Sequence, residues 1–363
     1  MAEAKTRQVV KPKIFGSLLA EVIRKDICSG CGACVSVCPV GVVTMKSVPG
    51  KDEQPTLIGK CILCEYCYNQ CPWTEPKPSE VDVFGRSRYE REELGVVLAS
   101  YSARSKKEEI LKVASDGGVV TSLLVYMFEN GFIDCAVVSC LSKEEPLKPK
   151  PKVVLSPEEL LECAGTRYTV SPTLIGLGSA VDEYGKERVA VVGTPCQIRA
   201  IRKMQYSSHG ALKYGSKVFL AIGLFCMESF YYDKLIKEYL PQKTDLGKVS
   251  RFSIRKGRFI VEAEGKRVVD VHLDEVRPYV RGSCHICTDF TSELADVSVG
   301  SVGSPDGWST VLLRTEKAKR IFEDAVNTGY IECKPLDQVK PGKVSVVKLS
   351  NLKKEKSSHP TKA

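Results

Sequence analysis

Cys28, Cys31, Cys34 and Cys38 recur 33 residues later as Cys61, Cys64, Cys67 and Cys71, and each set ends in Cys-Pro, at Pro39 and Pro72. No other feature limits so strongly what this chain can fold into. Three thiols at three-residue intervals can wrap one backbone loop around a cubane, with the intervening amides turned toward the sulfides. The fourth, followed by proline, points away from that cube and reaches the other one. The spacing therefore predicts one 4Fe–4S cluster on Cys28, Cys31, Cys34 and Cys71 and a second on Cys61, Cys64, Cys67 and Cys38. Gly30 and Gly32 would permit the tight backbone between ligands. Zinc is the alternative, but zinc motifs usually supply cysteines as two separated pairs rather than triplets.

The remaining chain is long enough, at 363 residues in all, for one or two further units with cores of their own. Sixteen cysteines in a chain read as lacking a secretory signal favour metal binding over disulfides, because cytosolic thiols are kept reduced. The formal charge of +9 counts every cysteine as neutral. A cubane on four thiolates carries about −2, so three of them and a dinucleotide diphosphate would bring the total close to neutral. The basic surplus then belongs to cofactors, and with no long basic helix or aromatic platform the chain is not expected to bind nucleic acid. No apolar run approaches the roughly 18 to 20 residues of a membrane span. The expected location is the cytoplasm.

Five segments follow from the pattern. Residues 1–25 are a lead-in with a short amphipathic helix from Ile14 to Ile23, and residues 26–75 are a ferredoxin-like domain. Residues 76–93 form a linker whose prolines and charges disfavour regular structure. Residues 94–340 alternate buried strands (95–101, 134–139, 188–193, 217–226) with helices such as 119–128, and residues 249–280 alternate apolar and polar as a hairpin does. Residues 341–363, rich in Lys and Ser, are expected to fray. The fold class is thus an α+β two-cluster front followed by an α/β domain with a mixed sheet.

Several places in the body carry chemistry-bearing residues. Cys196 and Cys226 end predicted strands, where open sheets place ligands, and Cys284-His-Ile-Cys287 supplies two more thiols. Four thiolates suffice for a third cubane, although buried structural cysteines would give the same spacing. Cys135, Cys140, Cys163 and Cys333 read as core or incidental. The turn Ser115-Asp116-Gly117-Gly118 before an apolar helix could hold a diphosphate on exposed amides, or could be an ordinary cap by Ser115 or Asp116. The irregular loop from Gly300 to Thr310 suits a ligand or a solvated connector. His285 could donate to a sulfide or face solvent.

Seven stretches in order, including Asp116-Gly-Gly-Val-Val-Thr121, Gly165-Thr-Arg-Tyr168, Gly193-Thr-Pro-Cys196, Gly223-Leu-Phe-Cys226 and Cys284-His-Ile-Cys287, resemble the coenzyme F420 hydrogenase/dehydrogenase beta-subunit family. With its two-cluster front the chain is most similar to electron-input subunits of archaeal F420H2 dehydrogenases. The resemblance implies an FAD subunit that exchanges hydride with coenzyme F420 and passes single electrons into iron–sulfur centres. It implies a third cluster on Cys196, Cys226, Cys284 and Cys287, and FAD contacts from Ser115, Asp116, Gly117, Gly118, Thr121, Arg167, Tyr168, Ser171, Gly193, Thr194, Ser309 and Thr310. No side chain is assigned a catalytic role, since the flavin carries the chemistry. The implied partners are subunits of a larger redox complex, with the chain free or peripheral on the cytoplasmic face of a membrane. Alternatives are an F420-reducing subunit of a formate dehydrogenase, heterodisulfide reductase or hydrogenase, and a non-catalytic ferredoxin-like relay.

Overall fold

The computed structural model describes residues 12–358, so the first eleven residues of the lead-in and the last five of the tail lie outside the described residues. The lead-in forms a helical turn, Phe15–Leu18, that widens into a π-turn, Leu19–Ile23. Its buried face, Phe15, Leu18, Val22 and Ile23, packs on Cys34, Cys67 and Cys71. The repeat holds in structure as well: the one-turn helices Ala33–Ser36 and Tyr66–Asn69 occupy equivalent places, joined by the antiparallel hairpin of β1 (Val43–Ser47) and β2 (Glu53–Leu57).

The expected linker holds a helix, Glu80–Phe84, because Ser79 and Asp82 form a reciprocal capping box at its start. The first strand of the body, β3 (Ala99–Ser105), begins four residues later than the apolar run at 95–101 suggests. Gly95 adopts φ +80°, and the carbonyls of Leu94 and Val96 are taken by the Arg314 guanidinium, so this stretch is withdrawn from the sheet. Then follow β4 (Cys135–Leu141), β5 (Pro149–Val154), β6 (Val189–Gly193) and β7 (Val218–Leu224). The alternating segment becomes three antiparallel strands rather than a simple hairpin, β8 (Val249–Arg255), β9 (Arg258–Ala263) and β10 (Lys266–His272). The last strands are β11 (Val297–Gly300), β12 (Ser309–Leu313) and β13 (Ile331–Pro335).

Eight strands make one mixed sheet in the order β13-β3-β12-β11-β7-β6-β4-β5. The middle four, β11, β7, β6 and β4, are parallel and the flanking pairs antiparallel. Both faces of the sheet are covered, which is why the parallel strands read as unbroken apolar runs. The helix Val119–Glu129 lies on one face; Leu174–Asp182 and Pro195–Tyr206 lie on the other, where they also meet Cys31, Ala33 and Val37 of the front. The three-stranded sheet has a core of its own around Phe230, Phe259 and Val261.

Up to Ser358 the residues after Lys340 do not fray. Lys343–Ser358 is a helix whose Val346, Ser350 and Lys353, all within two turns on one side, are buried. Composition hides this because two of its three buried positions are polar.

Candidate functional site

A cavity of about 630 Å³ opens where the four parallel strands end. Ser139 of β4, Thr194 after β6, Cys226 after β7 and Ser301 after β11 all line it. Carboxyl ends of parallel strands are where open α/β sheets bind ligands, since the loops diverge there and helices begin. The three-stranded sheet closes the opposite side through Ile254 and Lys256.

One wall is built from the Ser115–Gly118 turn. Gly118 is itself the cap of the helix Val119–Glu129, at φ +69°, and no side chain caps the helix. The capping alternative therefore fails: the Ser115 hydroxyl accepts from the Thr166 amide at 2.7 Å, and Asp116 pairs with Arg255 at 3.1 Å. Burial pushes the Asp116 carboxyl up, while Arg255 and Arg251 work against that rise. Gly117 donates its N–H to Ser309 Oγ at 3.1 Å and is held so close to β3 that a Cβ would stand 2.5 Å from Ala103 O. Uncapped helix amides thus face the cavity, the arrangement that binds a diphosphate.

Arg167 projects from the facing loop, giving Nη2 to Ala164 O at 2.9 Å and leaving its buried Nε with no partner. A buried guanidinium N–H without an acceptor is costly, and an anion in the cavity would satisfy it. Tyr168 Oη accepts from the Ile254 amide at 3.1 Å and so pins the three-stranded sheet over the opening; burial pushes its pKa up to about 12. Ser115, Asp116, Gly118, Thr121, Arg167, Tyr168, Ser171, Gly193, Thr194 and Ser309 all line the cavity. Gly117 and Thr310 do not line it: Gly117 packs behind the wall, and Thr310 is buried against Ser304 Oγ at 2.8 Å, bracing the loop from Gly300. Together the uncapped amides and the unpaired Arg167 fit a dinucleotide such as FAD.

The same cavity is lined by Cys196, Cys226, Cys284 and Cys287, brought together from three places in the chain. Burial pushes the Cys196 and Cys226 thiols up and Cys284 up to about 11. In the front, Cys71 lies near Cys28, Cys31 and Cys34, and Cys38, Cys61 and Cys64 lie near Cys67. Gly30 N–H donates to Cys28 Sγ at 3.5 Å and its counterpart Leu63 N–H to Cys61 Sγ at 3.4 Å, so backbone amides already turn toward sulfur. All sixteen cysteines are free thiols. Among the described residues no three His, Cys, Asp or Glu side chains come near enough to share a single ion. A cubane holds its thiolates farther apart than one tetrahedral ion does, because iron and sulfide lie between them, so an open grouping is compatible with clusters.

Sequence reasoning missed what crosses between segments. Ser29 and Trp73 of the front line the cavity, and so do Leu349, Leu352, Lys353 and Lys356 of the C-terminal helix. Ser29 sits beside a ligand candidate, which was a usable signal; the helix gave none. His285 faces solvent, and Cys163, read as core, is buried yet lines the cavity.

Residues 27–75 match the model of a "4Fe-4S dicluster domain". Residues 100–178 and 186–339 match the N-terminal and C-terminal models of "Coenzyme F420 hydrogenase/dehydrogenase, beta subunit". The beta subunit of the coenzyme F420 hydrogenase of Methanosarcina barkeri is 43% identical over 267 residues, covering 73% of this chain and 91% of the relative. One of the subunits of the F(420)H(2) dehydrogenase of Methanosarcina mazei is 35% identical over 347 residues, covering 93% of this chain and 92% of the relative. In a solved structure of the F420-reducing [NiFe] hydrogenase complex from Methanosarcina barkeri, one chain superposes with a TM-score of 0.70 at 40% identity, covering 75% of this chain and 93% of that one. On these matches, with the fold and cysteine geometry above, the chain belongs to the coenzyme F420 hydrogenase/dehydrogenase beta-subunit family and carries an N-terminal 4Fe–4S dicluster domain.

Proposed function

We propose that this chain oxidises reduced coenzyme F420 at an FAD seated in the cavity and passes the electrons singly through three 4Fe–4S clusters to a partner complex. The observation that carries the reading is the lining of one cavity: it combines uncapped helix amides at Val119 and Val120, the Arg167 guanidinium, four cysteines and Ser29 of the front domain. When bound, FAD supplies the exchange between a two-electron hydride reaction and one-electron carriers. The helix amides at Val119 and Val120 and the Arg167 guanidinium hold its diphosphate. Tyr168 keeps the three-stranded sheet closed over the ring, and Leu349 and Leu352 exclude water from the cysteine end. Lys256, Arg277 and Lys356 are exposed at the mouth, where cations suit the phosphate and carboxylates of the F420 tail.

Ser29 and Cys196 are neighbours, and the charge of Cys196 is felt at both Cys28 and Cys31. A cluster held by Cys196 would therefore have the one held by Cys28 and Cys31 as its neighbour in the front.

Anaerobic purification with iron and flavin quantified, followed by F420H2 oxidation with a one-electron dye, tests the proposal. About twelve irons, one FAD and turnover are expected. Cys284→Ser should bring iron to about eight and leave the front pair intact. About eight irons in the unaltered chain, no flavin and no turnover would leave a ferredoxin-like relay.

A further inference from the structure

The C-terminal helix Lys343–Ser358 lies beyond residue 339, where the family match ends, yet it places a lysine among the four body cysteines. Lys353 is 3% exposed and donates from Nζ to Cys226 O at 2.5 Å. An ammonium has three N–H bonds to satisfy, and burying one without a counter-charge is costly. Among the described residues that carbonyl is its hydrogen-bond partner, and no carboxylate pairs with it. The next residue shows the contrast: Lys354, more exposed, pairs with Glu293 at 3.3 Å. Cys226, Cys284, Cys287 and Asp289 surround it. What this ammonium faces is a set of thiols that carry negative charge only when they ligate metal.

We infer that Lys353 sets the reduction potential of the Cys196–Cys226–Cys284–Cys287 cluster, raising it so that this cluster accepts electrons from the flavin end of the cavity. The inference rests on the third cluster proposed above. Reduction adds one negative charge to a cube already near −2, and a fixed cation in a low-dielectric site favours the more negative form. The lysine also explains its own burial, since the cluster is the missing counter-charge.

The test is an EPR-monitored redox titration of the anaerobically purified full chain, with iron counted in each sample, for Lys353→Gln and Lys353→Arg. Both variants keep a donor for Cys226 O; only the first loses the charge. Lys353→Gln should lower the midpoint of one cluster and leave the two front clusters where they were, while Lys353→Arg should stay close to the unaltered protein. Loss of that cluster in the Gln variant with retention in the Arg variant would equally support a charge requirement. An unshifted midpoint in Lys353→Gln, or the same shift or loss in both variants, would overturn the inference. A count of about eight irons in the unaltered protein would instead remove the third cluster itself, a different failure that the iron assay separates from the first.

Discussion

Leu63 and Glu65 hold φ +60° and +65°, the left-handed backbone that their counterparts Gly30 and Gly32 adopt at +66° and +85°. Side chains other than glycine lose about 1–2 kcal/mol there. The second cysteine loop therefore stores strain that the first does not, and the cluster geometry accounts for it, because Leu63 N–H must still reach Cys61 Sγ. Leu63 is half exposed, so removing its side chain sacrifices little packing. Leu63→Gly should raise stability by about 0.5–1 kcal/mol, after the entropy that glycine loses on folding, with cluster content unchanged. Denaturant unfolding of the anaerobic holoprotein measures it, and a destabilised variant would contradict the strain. The dicluster front was legible in the sequence because cluster chemistry fixes cysteine spacing along one short stretch of chain. Lys353 was not, because its role depends on a fold that brings residue 353 to residue 226.

At the scale of elements, Arg314 follows β12 and is 1% exposed, with burial pushing its pKa down to about 10. All five of its N–H donors are used, on Ser298 Oγ, Leu94 O, Val96 O, Thr291 O and Thr291 Oγ1. It fastens Leu94 and Val96, at the start of the body, to the sheet and explains why the apolar run at 95–98 stays outside β3. Arg314→Met should cost about 3–5 kcal/mol by leaving those acceptors without a donor, read as a lower urea midpoint. A loss under about 0.5 kcal/mol would mean that water replaces the guanidinium. Three of the four parallel strands, β4, β6 and β7, were legible to within two residues as continuous apolar runs, since both faces of the sheet are covered; β11, only four residues long, was not among the expected strands. The late start of β3 was not, because a single distant arginine decides it. The C-terminal helix escaped for a related reason: Ser350 and Lys353, polar residues on its inner face, look like solvent positions until the fold buries them.

Across the whole molecule the front domain is anchored to the body by charge as much as by apolar contact. Arg281, 2% exposed, donates to Asp52 Oδ2 at 2.8 Å and Cys28 O at 3.2 Å, joining the β1–β2 hairpin and the first cysteine loop to the segment before Cys284. Lys203 crosses the other seam, reaching Thr74 O at 2.7 Å; burial pushes its pKa down to about 8. Arg281→Met would leave Asp52 buried on two backbone amides alone, at a cost of about 3–5 kcal/mol. Limited proteolysis between residues 76 and 93 should accelerate in that variant, and an unchanged cleavage rate would show that apolar contact suffices.

The C-terminal helix also has a place in time. Synthesis runs from the cysteine repeat toward residue 358, so the front loops and all four body cysteines have left the ribosome before the segment that carries Lys353 is made. Until then the Cys226 end of the cavity has no cover, and afterwards Leu349, Leu352 and Lys353 close it. Whatever occupies that end of the cavity is therefore covered late, by one of the last segments of the chain to be made.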